Sequence, residues 1–373
     1  SVAARSASPA AAPTPTPRVQ RLLDFASTPR DVKQALDARV VGQDAAKRAV
    51  AVAICEHYHN ARRCVEDPER RAKHWHKKNV LLVGPSGSGK TQLCRALADV
   101  AGAAYIKADA TMFSATGFVG RDVDDVVAQL VDAAGGDETA AAFGVVHVDE
   151  IDKVAERPGG LLGGGGSVNT RDVQTSLLKL MEDAELPLPQ SPGNRRGAAN
   201  ATSRGKTFST KHVLFVFSGA FEGLPAARSV DAFGAACPNR LVEAGLIREF
   251  VGRVPVRCAL DPLSIDDLVA ILDADADVSP MNQWRDTFAA HGIDLSWERG
   301  ALEVVALRAH AHGLGARSLL AELDVVFRDL AFTLPGAYDG ALHVDAELVE
   351  NPGAALLRLM SDADTARASS GSA

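Results

Sequence analysis

One segment constrains this chain more than any other. Gly84-Pro85-Ser86-Gly87-Ser88-Gly89-Lys90-Thr91 directly follows the apolar run Val80-Leu81-Leu82-Val83 and opens a helical pattern over residues 92–98. An unbroken apolar run that stops at Gly-Pro reads as a strand buried on both faces, as in a parallel sheet covered by helices. In that strand–loop–helix setting, the pattern G-x-x-x-x-G-K-[S/T] lets backbone N–H groups turn inward around phosphate oxygens, and the helix N-terminus adds positive potential. Lys90 then suits the β- and γ-phosphates and the Thr91 hydroxyl suits a Mg²⁺ ion, so the segment predicts binding of ATP with Mg²⁺.

Two further apolar runs, Val145-Val146-His147-Val148 and Val213-Leu214-Phe215-Val216-Phe217, are separated by helical patterns such as those over 123–134 and 173–182. Strands alternating with helices predict an α/β fold with a doubly wound parallel sheet. Asp261-Pro262 marks a change. Beyond it helical patterns run over 265–272, 301–312 and 316–330, with a candidate strand pair at Ile293-Asp294-Leu295 and Leu342-His343-Val344. The expected organisation is a disordered tail or processed transit-peptide remnant over 1–26, a large α/β nucleotide-binding domain over 27–258, a smaller, mainly helical domain over 259–360, and a disordered tail over 361–373. The glycine-rich segment 159–166 and the polar, basic segment 191–210 read as flexible or exposed loops.

Composition narrows the class. A formal net charge of −7 argues against a dedicated nucleic-acid binder, which would carry a basic stripe. Cys55, Cys64, Cys94, Cys237 and Cys258 never form C-x-x-C, so reduced thiols are expected in place of a zinc knuckle or a disulfide framework. No apolar run has the length of a membrane span. No acid precedes Asp24, a composition that fits the end of an organelle targeting peptide, the mitochondrial matrix being favoured and the cytoplasm the alternative. A plain disordered leader reads equally well from the same residues.

The run over 145–148 ends in Asp149-Glu150, which puts one carboxylate near the metal and a second where it can polarise an attacking water. Asp149-Glu150-Ile151-Asp152-Lys153 resembles the DEIDK signature of the ClpX family of AAA+ proteins and of the related HslU family, and the similarity extends over residues 29–352. The resemblance implies that Val40 and Val41, in Val40-Val41-Gly42-Gln43, pack on adenine. Gly117-Phe118-Val119-Gly120 is similar to the family's GYVG pore loop, which implies that Phe118 and Val119 grip polypeptide in a central channel. The segment Gly245-Leu246-Ile247-Arg248-Glu249-Phe250-Val251-Gly252-Arg253 resembles GLIPEFIGR, implying that Arg253 is a finger inserted into a neighbouring subunit's site. Gly315-Ala316-Arg317 matches the family's sensor-2 GAR, implying that Arg317 reaches back to the nucleotide. The resemblance therefore implies an ATP-dependent protein unfoldase, a homo- or hetero-hexameric ring acting on unfolded or tagged proteins, with Glu150, Arg253 and Arg317 as catalytic residues.

The chain also departs from the family pattern. It shows no cysteine-rich zinc module, so docking of adaptors through one is not expected. Ser167-Val168-Asn169-Thr170-Arg171-Asp172-Val173-Gln174 replaces or shifts the family's arginine-bearing second pore loop, with the register open and Arg171 a candidate for holding substrate. Phe217-Ser218-Gly219-Ala220-Phe221 resembles CGGAF, and Ser218 is a candidate for orienting water or phosphate. Between Ala220 and Leu246 the nearest match to the peptidase-docking tripeptide is Asp231-Ala232-Phe233-Gly234, whose Asp suits an apolar pocket on a ClpP-type peptidase poorly, so that partnership is not expected. The short spacing from Gly120 to Asp149 leaves no room for the HslU insertion. A nucleotide-binding structural subunit and a nucleic-acid motor are the alternatives; the intact Lys90, Thr91, Asp149, Glu150, Arg253 and Arg317 oppose the first, and the acidic balance opposes the second.

Overall fold

Apolar runs too short to stand alone as strands are stable here because each pairs with another far away in sequence. The computed structural model describes residues 15–73, 75–113, 123–155, 170–188, 207–222, 237–275, 279–338 and 340–370. Its strands are β1 (Val80–Val83), β2 (Tyr105–Asp109), β3 (Val145–Asp149), β4 (Glu185–Pro187), β5 (Thr207–Ser209), β6 (Leu214–Gly219), β7 (Val256–Ala259), β8 (Asp294–Trp297) and β9 (Ala341–Val344). A sheet in the order β2-β3-β6-β1-β7, parallel throughout, forms the centre of the N-terminal part.

The three inner strands β1, β3 and β6 are buried at every residue, as helices on both faces require. These are the runs that the hydrophobic pattern singles out. The strands it does not single out, β2 and β7, are the two edges of the sheet. There Lys107 and Arg257 interrupt the apolar run, because an edge strand reaches solvent and tolerates charge. The long helix Asp44–Glu66 likewise goes unmarked by the pattern and buries Val50, Ile54 and Tyr58 in the same core.

Three expectations need correction. Helix Pro17–Asp24, capped by the Thr16 hydroxyl, buries Val19 and Leu22, and Phe25 follows them into the large core, so the ordered domain begins before residue 27. Three apolar side chains at three-residue spacing in a polar setting suffice to dock it. The segment 191–210 is not loop to its end: Thr207–Ser209 pairs antiparallel with Glu185–Pro187 and buries Phe208. Helix Pro352–Ser370 extends into the expected C-terminal tail as far as residue 370, in keeping with the high helix propensity of its alanines.

The large core closes at Leu260 and a second begins at Leu263, so the changeover brackets Asp261-Pro262 and lies slightly beyond residue 258. Leu260 still belongs to the sheet layer because its N–H donates to Val83 O at 2.7 Å. The second core packs helices Ile265–Leu272, Pro280–Ala289, Arg299–Ala311 and Arg317–Thr333 around the parallel pair β8 and β9. Ser264 and Asp267 form a capping box that starts the first of these helices immediately after the changeover.

His57, on helix Asp44–Glu66, is buried and shares the Phe143 carbonyl with the Tyr58 hydroxyl, at 2.9 and 3.1 Å. Burial pushes its pKa down to about 4, against a weaker opposing pull from that carbonyl. The unfolded chain therefore takes up a proton near pH 6.5, which the folded chain accepts only near pH 4. Stability contributed by neutral His57 is full above the unfolded value and declines as pH falls toward the folded one. Between pH 7 and pH 5 the loss attributable to this group is about 2 kcal/mol. Urea unfolding of the parent and of His57→Gln at both pH values checks it: the variant should lose less stability on acidification, and equal losses would exclude the assignment.

Candidate functional site

Parallel strands present their carboxyl ends on one edge of the sheet, and ligands of such folds bind there. β1 runs into the loop Gly84–Gly89, β3 ends at Asp149, and β6, between them, ends at Gly219. Helix Lys90–Ala101 starts directly after the loop, with Gly89 in the left-handed region at φ 94°. Ser86, Gly87, Gly89, Lys90 and Thr91 line a polar cavity of about 400 Å³ together with Asp149, Glu150, Asp152 and Arg317. The structure thus brings together on one wall the loop and the two carboxylates singled out in the sequence.

Within this cavity the ammonium of Lys90 donates to the carbonyls of Gly84 and Pro85, at 2.7 and 2.8 Å. Its pKa is lowered by burial, partly countered by Asp149 and Asp152. Thr91 Oγ1 donates to Asp149 Oδ2 at 3.1 Å. A hydroxyl and a carboxylate oxygen this close form the hard-oxygen pair that a Mg²⁺ ion accompanied by phosphates uses, so the residues fit the ion. Glu150 takes a left-handed backbone conformation, φ 58°, at the start of the short turn Ile151–Val154, and stands on the cavity wall. Asp152 Oδ1 accepts from Ala220 N at 3.2 Å, tying that turn to the end of β6.

Asp149 is held from several directions. Ser218, buried on β6, donates its hydroxyl to Oδ1, and the Glu150 N–H donates to the same oxygen at 3.0 Å. Lys107 on β2 forms an ion pair with Oδ2 at 2.8 Å. Burial alone would raise the Asp149 pKa, but the bonds from Lys107 and Ser218 outweigh it and hold the carboxyl well below the usual range. Behind Ser218 a chain continues inward. With the Ser218 proton given to Asp149, His147 Nε2–H donates to Ser218 Oγ at 2.7 Å and the Tyr105 hydroxyl donates to His147 Nδ1 at 3.0 Å, a tautomer assigned from these partners. Ser218 therefore orients Asp149 and does not line the nucleotide cavity, a correction to its expected contact with water or phosphate.

A second, mainly apolar cavity of about 250 Å³ adjoins the first, sharing Gly89, Gln92 and Ala316 with it. Val40, Val41, Ser88, Leu263 and Ile271 line it, which suits an aromatic base. Gln43, also in the left-handed region at φ 59°, ties Ser88 to Asp261: its side chain donates to Ser88 O and Asp261 O and accepts from Asp261 N, at 3.2, 2.9 and 3.0 Å.

The helical part reaches the same cavity. Arg317 Nη1 donates to Ser86 Oγ at 2.7 Å and Ala316 N donates to Gly87 O at 3.1 Å. Both glycines at this contact are required. A Cβ on Gly87 would lie 2.0 Å from Leu314 O, one on Gly315 would lie 2.7 Å from Gly87 O, and both residues have positive φ.

Arg253 lies elsewhere. It caps helix Arg248–Gly252 and borders a separate groove of about 620 Å³ with Trp75, Lys77, Asn79, Glu182 and Lys211. Its side chain is 56 % exposed and pairs with Glu182 at 2.7 Å. Asn79, buried, holds its carbonyl at 3.0 Å. Gln174, buried on helix Thr170–Met181, joins the two regions: it donates to Val154 O and Gly245 O and accepts from Ile247 N, at 2.8, 3.0 and 2.8 Å. Arg171 is exposed in the first turn of that helix. Phe118, Val119, Asp231 and Phe233 lie outside the described residues. The sequence marks none of Lys107, His147, Gln43 and Gln174 as a functional residue, although Gln43 and Gln174 stand within the segments 40–43 and 167–174, because the partners of all four are distant in sequence.

The chain is also similar in sequence to known proteins. Residues 76–257 match the AAA domain (Cdc48 subfamily). The ATP-dependent Clp protease ATP-binding subunit ClpX of Azotobacter vinelandii is 35 % identical, with 85 % of this chain and 76 % of that protein aligned. ClpX 2 of Wolinella succinogenes is 35 % identical over 82 % of this chain and 78 % of its own length, and ClpX 3 of Methylococcus capsulatus 31 % identical over 92 % and 85 %.

The glycine contact yields a test. Gly87→Ala should weaken nucleotide binding by roughly tenfold or more, because strained backbone of this kind costs on the order of 1–3 kcal/mol and the clash pushes the Arg317 segment off the loop. Titration with a fluorescent ATP analogue, with circular dichroism to verify folding, measures it; parent-like affinity would show the contact to be dispensable.

Proposed function

The chain belongs to the ClpX family of AAA+ ATPases, and we propose that it is an ATP-driven protein unfoldase that threads polypeptide through the pore of a ring. The observation that carries the proposal is the cavity walled by both parts of the chain, with Lys90, Thr91, Asp149 and Glu150 on one side and Arg317 on the other. A nucleotide bound there touches both units, so cleaving its γ-phosphate alters the contacts that set their relative orientation.

In this reading Lys90 balances the β- and γ-phosphates, and Thr91 and Asp149 hold Mg²⁺, which neutralises phosphate charge. Glu150 orients and deprotonates the attacking water. Val40 and Val41 receive adenine. Arg317 senses the γ-phosphate from the second unit. Arg253, directed into a separate groove, serves a neighbouring chain's nucleotide, which is the reason to propose a ring, hexameric as in the family. Phe118 and Val119 grip the substrate. The named relatives are subunits of Clp protease; the Asp231-Ala232-Phe233-Gly234 segment leads us to propose remodelling without a ClpP-type peptidase.

A stable, tagged fluorescent protein tests the function. With ATP the parent should extinguish its fluorescence and release it uncleaved, whether or not a ClpP-type peptidase is added. Glu150→Gln should bind ATP and neither hydrolyse it nor unfold the substrate, whereas Phe118→Ala should hydrolyse ATP and fail to unfold. Undiminished fluorescence with the parent under hydrolysing conditions would remove the unfoldase reading.

Arg253→Ala should bind ATP normally and lose about 10³-fold or more in hydrolysis, as for arginine fingers in phosphoryl transfer. Mixed with Lys90→Ala, itself inactive, it should regain hydrolysis only at interfaces pairing an intact Lys90 with a neighbour's intact Arg253. Full hydrolysis by Arg253→Ala as a monomer would exclude both finger and ring.

A further inference from the structure

Asp149 has two oxygens in unlike surroundings. Oδ1 is fixed by groups that cannot swing away: the Glu150 N–H and the hydroxyl of Ser218, which is backed by the fully buried His147 and, through it, by Tyr105. Such a chain of satisfied buried bonds locks the carboxylate in one orientation. Oδ2, the oxygen facing Thr91, is held by a group of the opposite character. Lys107 approaches it at 2.8 Å on a side chain that is 42 % exposed, while the Asp149 side chain is only 12 % exposed.

The register explains the pairing. Lys107 lies directly across from His147 in the β2–β3 pair, so its side chain shares a face with His147 and, two residues on, with Asp149. From there a flexible four-carbon stem reaches Asp149 diagonally, with solvent as its alternative. An ammonium and a divalent cation repel when they compete for one carboxylate oxygen, and the anchored carboxylate cannot turn to serve them separately. The member of the set that can leave is Lys107.

We infer that Lys107 is a tethered ammonium that competes with a divalent cation for Asp149 Oδ2, so that this lysine sets how much Mg²⁺ the site needs to bind nucleotide. The inference rests on the proposed role of Asp149 and Thr91 as the metal side of the nucleotide site. It adds a residue that no motif marks and whose effect is on metal demand, separate from the catalytic step.

The test is nucleotide binding by the full chain, read with a fluorescent ATP analogue over a series of Mg²⁺ concentrations. Lys107→Met leaves Oδ2 to the cation and should lower the Mg²⁺ concentration at half-saturation by about two- to fivefold, the scale of a partly exposed ion pair. Lys107→Arg keeps the charge and should stay closer to the parent than to the Met variant, an ordering that a purely structural role would not produce. Lys107→Gln serves the same purpose as Met should the latter unfold, and thermal melts identify that case. A half-saturating Mg²⁺ concentration that is unchanged or raised in the neutral variants, with Mg²⁺-dependent binding intact in the parent, would overturn the role of Lys107 alone. Parent binding indifferent to Mg²⁺ would instead overturn the metal-side assignment of Asp149 and Thr91, and the inference with it.

Discussion

The parallel pairing of β1 with β6 and of β6 with β3 is the constraint from which the rest of the molecule follows. It aligns Val83 with Gly219 and Val148 with Phe217, so three strand ends open side by side, and the Gly84 N–H is taken up by Gly219 O at 3.3 Å. The phosphate loop, the Ser218 hydroxyl and the Asp149 carboxylate thereby occupy one edge in fixed register. A slip of one residue in β6 would turn Ser218 to the opposite face and leave Asp149 Oδ1 with the Glu150 N–H as its remaining described donor. The precision of the site is inherited from the sheet and is not a property of the loop.

Two further joints connect that edge to the remainder of the chain. At Gly87 and Gly315 the backbones of the two units approach so closely that neither position has space for a side chain, and Arg317 follows directly at the phosphate loop. Gln43 reinforces the joint by bridging Ser88 and Asp261, the loop and the changeover between the two cores. Gln174 does the equivalent on the other side, linking the turn behind Glu150 to the helix that carries Arg253. Buried and with three bonds satisfied, Gln174 makes a stiff connection between the chain's own cavity and the groove where Arg253 lies, because losing it would leave the buried Val154 carbonyl unpaired away from water and the partly buried Gly245 carbonyl and Ile247 N–H without this partner.

The inner strands and the phosphate loop could be read from the residues because their physics is local. A strand buried on both faces needs an apolar run, and a loop around phosphates needs glycines at set spacing before a helix. The edge strands could not, since Lys107 and Arg257 look like loop residues until the sheet places them at its borders. Helix Pro17–Asp24 was hidden for a similar reason: Val19, Leu22 and Phe25 are too sparse to signal a helix, and it is the core they enter that orders them.

The site divides along the same line. Lys90, Thr91, Asp149 and Glu150 were identifiable from the sequence, as each belongs to a short contiguous pattern whose chemistry depends on neighbours one to eight residues away. Arg317 and Arg253 could be proposed only through family resemblance, and it is the tertiary structure that separates them, bringing one to Ser86 and the other to Glu182. Lys107, His147 and Ser218 acquire meaning only when β2, β3 and β6 lie side by side. Local sequence thus determined the loop and the carboxylates, whereas what surrounds and restrains them was decided by strand order, because hydrogen bonds and ion pairs between distant residues exist only after the sheet has assembled.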